Sequence, residues 1–196
     1  MRLALIAALL AALTVPTAAS ADIFLSPFAG LKFKGGTNEF NVGTGAADAK
    51  LSLGASTMIL ADRGVGFEAE FGYNPRFFEG GVADLLSSSS VTTLFGNLVV
   101  ALPISITRES LRPYAVGGLG WIHAAANDQL GFASFSNDFL GLALGGGAIG
   151  FVSDTTGIRF DLRYLKAISS GDISALPEQG SARISFWRAT VGLVFR

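Results

Sequence analysis

Alternation of apolar and polar residues is the strongest signal along the chain. Over residues 65–73, Val65, Phe67, Ala69, Phe71 and Tyr73 are separated by Gly66, Glu68, Glu70 and Gly72. Ile158, Phe160, Leu162 and Tyr164 alternate in the same way with Arg159, Asp161 and Arg163. At the end of the chain Trp187, Ala189, Val191, Leu193 and Phe195 alternate with Arg188, Thr190, Gly192 and Val194. Successive side chains of a strand point to opposite faces, so each run predicts a strand with one apolar face. Less regular runs predict five more strands, at 23–34, 50–60, 91–102, 112–124 and 138–152. In the run 91–102 two phases compete; the favoured one puts Leu94, Leu98, Val100 and Leu102 on the apolar face and Asn97 on the other.

The connections alternate in length. Residues 61–64, 104–111 and 153–156 form short links, with Asp62, Gly64, Asp154 and Gly157 as turn formers. Residues 34–49, 79–90, 125–137 and 167–182 form longer links rich in Gly, Ser, Asn and Asp. An up-and-down barrel with both termini in the periplasm predicts this pattern of brief inner turns and long external loops. A soluble sandwich gives no reason for it.

Composition decides which solvent the apolar faces meet. Half of the residues are hydrophobic, and the mean hydropathy is +0.50. The most apolar internal stretch, 139–152, carries five glycines in fourteen positions, a poor membrane helix. In hydrocarbon only helices and closed barrels satisfy every backbone N–H and C=O, so an apolar, non-helical chain reads as a barrel. Aromatic residues near the predicted strand ends (Phe33, Tyr73, Phe77, Phe78, Tyr114, Trp121, Tyr164, Trp187 and Phe195) suit the girdles that sit at the bilayer interfaces.

The first segment reads as a targeting signal. Arg2 precedes an apolar run from Leu3 to Val15, and Ala19-Ser20-Ala21 has small residues where a signal peptidase reads them. The run is too short for a spanning helix, which needs about 20 apolar residues. Residues 1–21 are therefore expected to be a cleaved signal peptide and residues 22–196 one outer-membrane β-barrel. The chain holds no cysteine, so a closed sheet rather than disulfides must stabilise the exported fold.

If the apolar stripes meet lipid, Glu68, Glu70, Arg159, Asp161, Arg163 and Arg188 point into the lumen. An eight-stranded barrel is just wide enough for side chains to fill it. These six are expected to pair with one another and plug the barrel rather than line a pore.

Several segments resemble the OmpA/OmpX-like and opacity-protein-like families of small outer-membrane barrels, grouped as porin-like β-barrel domains. The likeness lies in Ser26-Pro27-Phe28-Ala29-Gly30, in Gly66–Tyr73 followed by Pro75-Arg76-Phe77-Phe78, and in Arg112-Pro113-Tyr114-Ala115-Val116-Gly117-Gly118-Leu119-Gly120. It continues through Gly157–Tyr164 and the terminal strand to Phe195. The resemblance covers essentially the whole exported chain. It implies an all-β, eight-stranded, antiparallel up-and-down transmembrane barrel with variable external loops and no catalytic set. Such barrels usually end in an aromatic residue that the barrel-assembly machinery reads; here Phe195 takes that role and Arg196 follows it.

Other chemistry is sparse. A lipid A deacylase barrel would use a His with a Ser two residues on and an acid, but the lone His123 is followed by Ala125; Ser134 is a serine that could approach it in space. Cysteines are absent and acidic residues are scattered, which argues against a metal site, and Gly145-Gly146-Gly147 lacks the ending of a phosphate loop. The net charge of −1 shows no basic stripe for nucleic acid. No cofactor is expected. The expected partners are outer-membrane lipids, the barrel-assembly machinery and an external ligand of the loops. The leading expectation is a non-enzymatic surface barrel with a structural, adhesive or contact role. A small porin and a lipid-modifying enzyme are the alternatives, and a lipocalin-like carrier would need the opposite polarity, apolar inside and polar outside.

Cleavage after Ala21 predicts that the exported protein begins at Asp22, which N-terminal sequencing of purified outer membranes reads directly. A chain that retains Met1 would overturn the signal assignment.

Overall fold

The computed structural model describes residues 21–36, 49–77, 86–103, 107, 111–128, 134–168 and 184–196. Eight strands follow one another: β1 (Ala21–Gly36), β2 (Lys50–Ala61), β3 (Val65–Pro75), β4 (Leu86–Ala101), β5 (Arg112–Asp128), β6 (Ser134–Phe151), β7 (Thr156–Ala167) and β8 (Ser185–Phe195). Each pairs antiparallel with its neighbours in sequence, and β8 returns to β1, so the sheet is a closed barrel. The seam pairs Leu25 with Phe195 and Leu31 with Ala189. Closure leaves no row of unpaired backbone groups facing lipid. No described helix is long and apolar enough to cross a membrane. The predicted signal segment lies outside the described residues except for Ala21, the first residue of β1.

Side-chain direction follows the alternation. Phe67 is 69% exposed on the outer wall while the adjacent Glu68 is 3% exposed and faces the lumen. Leu94, Leu98, Val100 and Leu102 point out and Asn97 points in, the phase favoured for β4. The outer wall is apolar around the barrel, with Ile23, Leu53, Phe71, Leu119, Leu140 and Val191 all exposed. Phe33, Trp187 and Tyr164 lie side by side across β1, β8 and β7, and the Tyr164 and Trp187 rings sit 5.2 Å apart.

Two of the aromatics expected in the girdle face inward instead. Phe77 and Tyr114 are both buried. Tyr114 occupies the same phase of β5 as the buried Val116 and Ile122, so the pleat sends its ring to the lumen. Phe78 lies outside the described residues.

The two rims differ. Ala21 pairs with Ala61 beside the β2–β3 turn, so the chain ends share a rim with the short links. In that turn Gly64 takes a φ of 90°, which favours glycine, and its N–H bonds to the Ala61 carbonyl at 2.8 Å. Gly157 is not a turn residue; it pairs with Phe151 and Val194 inside the ladder, and residues 152–155 make the bend.

At the opposite rim the strands run further than the sequence suggests. β4 begins at Leu86, and the β5–β6 ladder continues to Asn127 and Ser134. The predicted 125–137 link is therefore mostly hairpin. Strands that leave the bilayer have water on their outer face, so polar residues there no longer mark a loop.

Arginine at the bilayer midplane costs about 2–4 kcal/mol on the lipid face of a barrel. Phe71→Arg, on the outer wall of β3, is expected to lower unfolding free energy by about that amount. Urea titration of the barrel in lipid vesicles, followed by tryptophan fluorescence, measures it.

Candidate functional site

β3 and β7 are four strands apart in a ring of eight, so their inward side chains face each other across the lumen. Glu68 and Glu70 come from β3; Arg159, Asp161 and Arg163 come from β7. Arg159 Nη1 lies 2.6 Å from Glu68 Oε1. Arg163 reaches Glu68 Oε2 through Nη2 at 2.8 Å and Glu70 Oε2 through Nη1 at 2.8 Å. Asp161 lies between the two arginines, 3.0 Å from Arg159 Nη2 and 2.6 Å from Arg163 Nε. Arg188 of β8 pairs with the remaining oxygen of Glu70 and lies over the Phe28 ring at 5.1 Å. All six predicted lumen residues are buried and belong to one connected layer. Three positive charges meet three negative ones.

Other side chains complete the layer. Tyr114 donates its hydroxyl proton to Asp161 and accepts from Arg159 Nε at 2.6 Å. Asn97 donates to Glu68 at 3.1 Å, and Arg159 donates to Ser56 at 3.0 Å. β6 contributes space rather than charge. Gly145 and Gly147 face Arg163 and Asp161 in the register. A Cβ at Gly147 would lie 2.6 Å from the Tyr114 hydroxyl, and one at Gly145 would lie 2.9 Å from Arg163 Cγ. Gly145 and Gly147 are thus the notch that lets large polar side chains pass.

The ionic layer lies between two apolar ones. Towards the long-loop rim stand Phe77, Val91, Phe95, Ile122, Leu165 and Phe186. Lys32 caps this side, donating to the Phe77 carbonyl at 2.7 Å. Towards the rim of short turns stand Phe24, Met58, Leu60, Val99, Ile149 and Val194. The sequence was expected to put charge inside; it did not announce these inward apolar caps.

Three further residues lie outside the lumen. Phe195 is outward-facing at the end of β8. Arg196 forms a two-point ion pair with Asp22, at 2.8 and 2.7 Å, closing the seam rim. His123 faces outward near the loop end of β5, directly opposite Asp138 of β6. Its Nδ1 lies 2.6 Å from Asp138 Oδ1, and Ser136 Oγ lies 3.4 Å from its Nε2. Ser136 was missed in the sequence because it is thirteen residues away, on the next strand; it pairs with Ala125, the position where a serine had been sought. Counting outward from the point between residues 130 and 131 brings His123 opposite Asp138 and Ala125 opposite Ser136. Ser134, the serine considered from sequence, has its backbone at the end of β6.

A closed sheet with an apolar exterior and a buried, ion-paired interior layer defines a transmembrane β-barrel. Residues 5–195 match the outer membrane protein beta-barrel domain family, and the chain belongs to it. Among solved structures it is similar to Neisserial surface protein A, with TM-score 0.63 and 13% identity over 88% of this chain and 97% of that one. It is also similar to Ail, the attachment invasion locus protein of Yersinia pestis, with TM-score 0.54 and 15% identity over 90% and 99%. OprG from Pseudomonas aeruginosa matches with TM-score 0.52 and 16% identity over 90% and 95%. No curated protein matches the chain in sequence.

Removing one member of a buried ion pair leaves an uncompensated charge and costs about 3–5 kcal/mol. Arg163→Met removes the group that touches all three carboxylates, so urea unfolding in vesicles is expected to show a loss of about that size. Arg196→Ala breaks only a partly exposed pair and is expected to cost about 0–1 kcal/mol.

Proposed function

We propose that this outer-membrane barrel works from its outer surface, not through its lumen: it anchors in the envelope and presents its long loops for a structural, adhesive or surface-contact role. The observation that carries this reading is the contact between opposite walls. Arg159 and Arg163 of β7 meet Glu68 and Glu70 of β3 directly, so ion-paired side chains bridge opposite walls of the barrel at that level, which supports a plug. The apolar layers on both sides oppose hydration of the remaining length. A conducting pore would need those groups parted, which breaks the cross-lumen ion pairs of the layer.

The similar barrel from Yersinia pestis is an attachment invasion locus protein, which is consistent with contact through loops. Orientation follows from the same reading: the rim of short turns and termini faces the periplasm, and the long-loop rim faces outward. Residues 1–21 act as the cleaved export signal. Phe195 is the residue we assign to recognition by the barrel-assembly machinery; it ends the last strand and points to lipid. The lumen charges have a structural role as a plug.

Purified protein in planar bilayers is expected to show no stable single-channel openings. Reproducible openings of defined size would overturn the sealed-lumen reading and favour the small porin.

A further inference from the structure

The outward face of the β5–β6 hairpin changes character beyond Leu119 and Leu140, which are both exposed on the lipid side. The next outward positions are Trp121 and His123 on β5, and Asp138 and Ser136 on β6. They do not form a scattered polar rim. Asp138 Oδ1 accepts from His123 Nδ1 at 2.6 Å and from Trp121 Nε1 at 3.1 Å. The imidazole stacks on the indole, with centroids 5.2 Å apart and planes 29° from parallel. With Nδ1 donating to Asp138, Nε2 presents its lone pair, and the group it faces is the Ser136 hydroxyl at 3.4 Å. The order is nucleophile, base and orienting acid, held by two directly paired strands.

The strand edge adds a second feature. Leu140 directs its carbonyl to the β7 side, where it accepts from Ile168 N–H at 2.8 Å. In an antiparallel ladder a residue's N–H and C=O point the same way and alternate residues repeat the direction. The Ser136 N–H therefore points away from β5. Among the described residues the β6–β7 ladder ends at Gly141 and Ala167, five residues from Ser136. A donor on the nucleophile's own residue can serve a developing oxyanion.

We propose that Ser136, His123 and Asp138 form an esterase site at the lipid interface, acting on carboxylic esters of amphiphiles, either phospholipids or acylated glycolipids. Position sets the substrate class: the serine lies on the barrel exterior just beyond the apolar wall, where the ester groups of a leaflet lie. Ser136 Oγ bonds to the ester carbonyl carbon as His123 Nε2 takes its proton, and Asp138 holds the imidazolium. The proton passes to the departing alkoxide as the C–O bond breaks, releasing the alcohol and leaving Ser136 acylated. Water then adds by the same route, releasing the carboxylic acid and restoring the serine. This activity is separate from the sealed lumen and adds to the contact role of the loops.

One backbone donor is a sparse oxyanion site, and each missing donor costs about 10²–10³ in kcat. The test therefore reads covalent capture beside turnover. The full chain, folded in vesicles, is treated with a fluorophosphonate and the labelled peptide is mapped by mass spectrometry. Label is expected on Ser136, absent in Ser136→Ala and slowed about 100-fold or more in His123→Ala, with Asp138→Asn slowed in the same direction. Release of carboxylic acid is followed from phospholipid vesicles and, separately, from purified lipopolysaccharide; the arm that responds identifies the source. Absence of label at Ser136, labelling that persists in His123→Ala, or no release in either arm overturns the proposal. Heat-modifiable migration of every variant on a denaturing gel reports the folded barrel independently, so loss of the barrel is distinguished from loss of the site.

Discussion

Backbone polar groups have no water to bond in the middle of a bilayer, and the rest of this structure follows from that constraint. The sheet closes on itself, β8 against β1, because an open edge in hydrocarbon would leave a row of groups unsatisfied. Closure with eight strands then fixes the width of the interior. It is narrow enough that an arginine rooted on β7 touches a glutamate rooted on β3, on the opposite wall. Eight-strand closure and the cross-lumen ion pairs are one geometric fact seen from the outside and the inside.

The interior is built in layers of different chemistry. Balanced charge occupies the middle, and aromatic and aliphatic side chains fill both ends. Burying ions carries a desolvation penalty, and a well-packed apolar filling of the same volume is often as stable or more so. What the charged layer adds is a constraint on register. Glu68, Asp161 and Arg163 have partners only in one register, because a slip by one residue would turn each of them into lipid. The glycine notch at Gly145 and Gly147 belongs to the same device, since it admits Tyr114 and Arg163 to the shared layer.

On the proposed reading of the lumen as plugged, function lies at the exterior. What remains available to partners is the long-loop rim and the lipid-facing wall just below it. On that wall the β5–β6 hairpin carries polar side chains past the last leucines, and Trp121 links the two zones: its ring lies with the exposed wall and its N–H holds the Asp138 carboxylate. An amphipathic aromatic at this depth suits the boundary between hydrocarbon and water.

Alternation by itself determined the strands wherever the two faces differ in polarity. β3, β7 and β8 were legible because charges stand on the lumen face at mid-barrel and apolar residues on the other, and from the same pattern the six ionic residues could be assigned inward. β1, β2 and β4 were harder to read because their inward faces also carry Phe24, Met58, Leu60, Phe95 and Val99; with apolar residues on both sides the period fades. Only the tertiary structure decided what depends on register between strands: that Tyr114 turns inward to Asp161, that Arg163 reaches three carboxylates, and that Ser136 comes beside His123. A strand's own residues state which face a side chain takes. Which residue of another strand it meets is fixed only when the ladders align and the barrel closes.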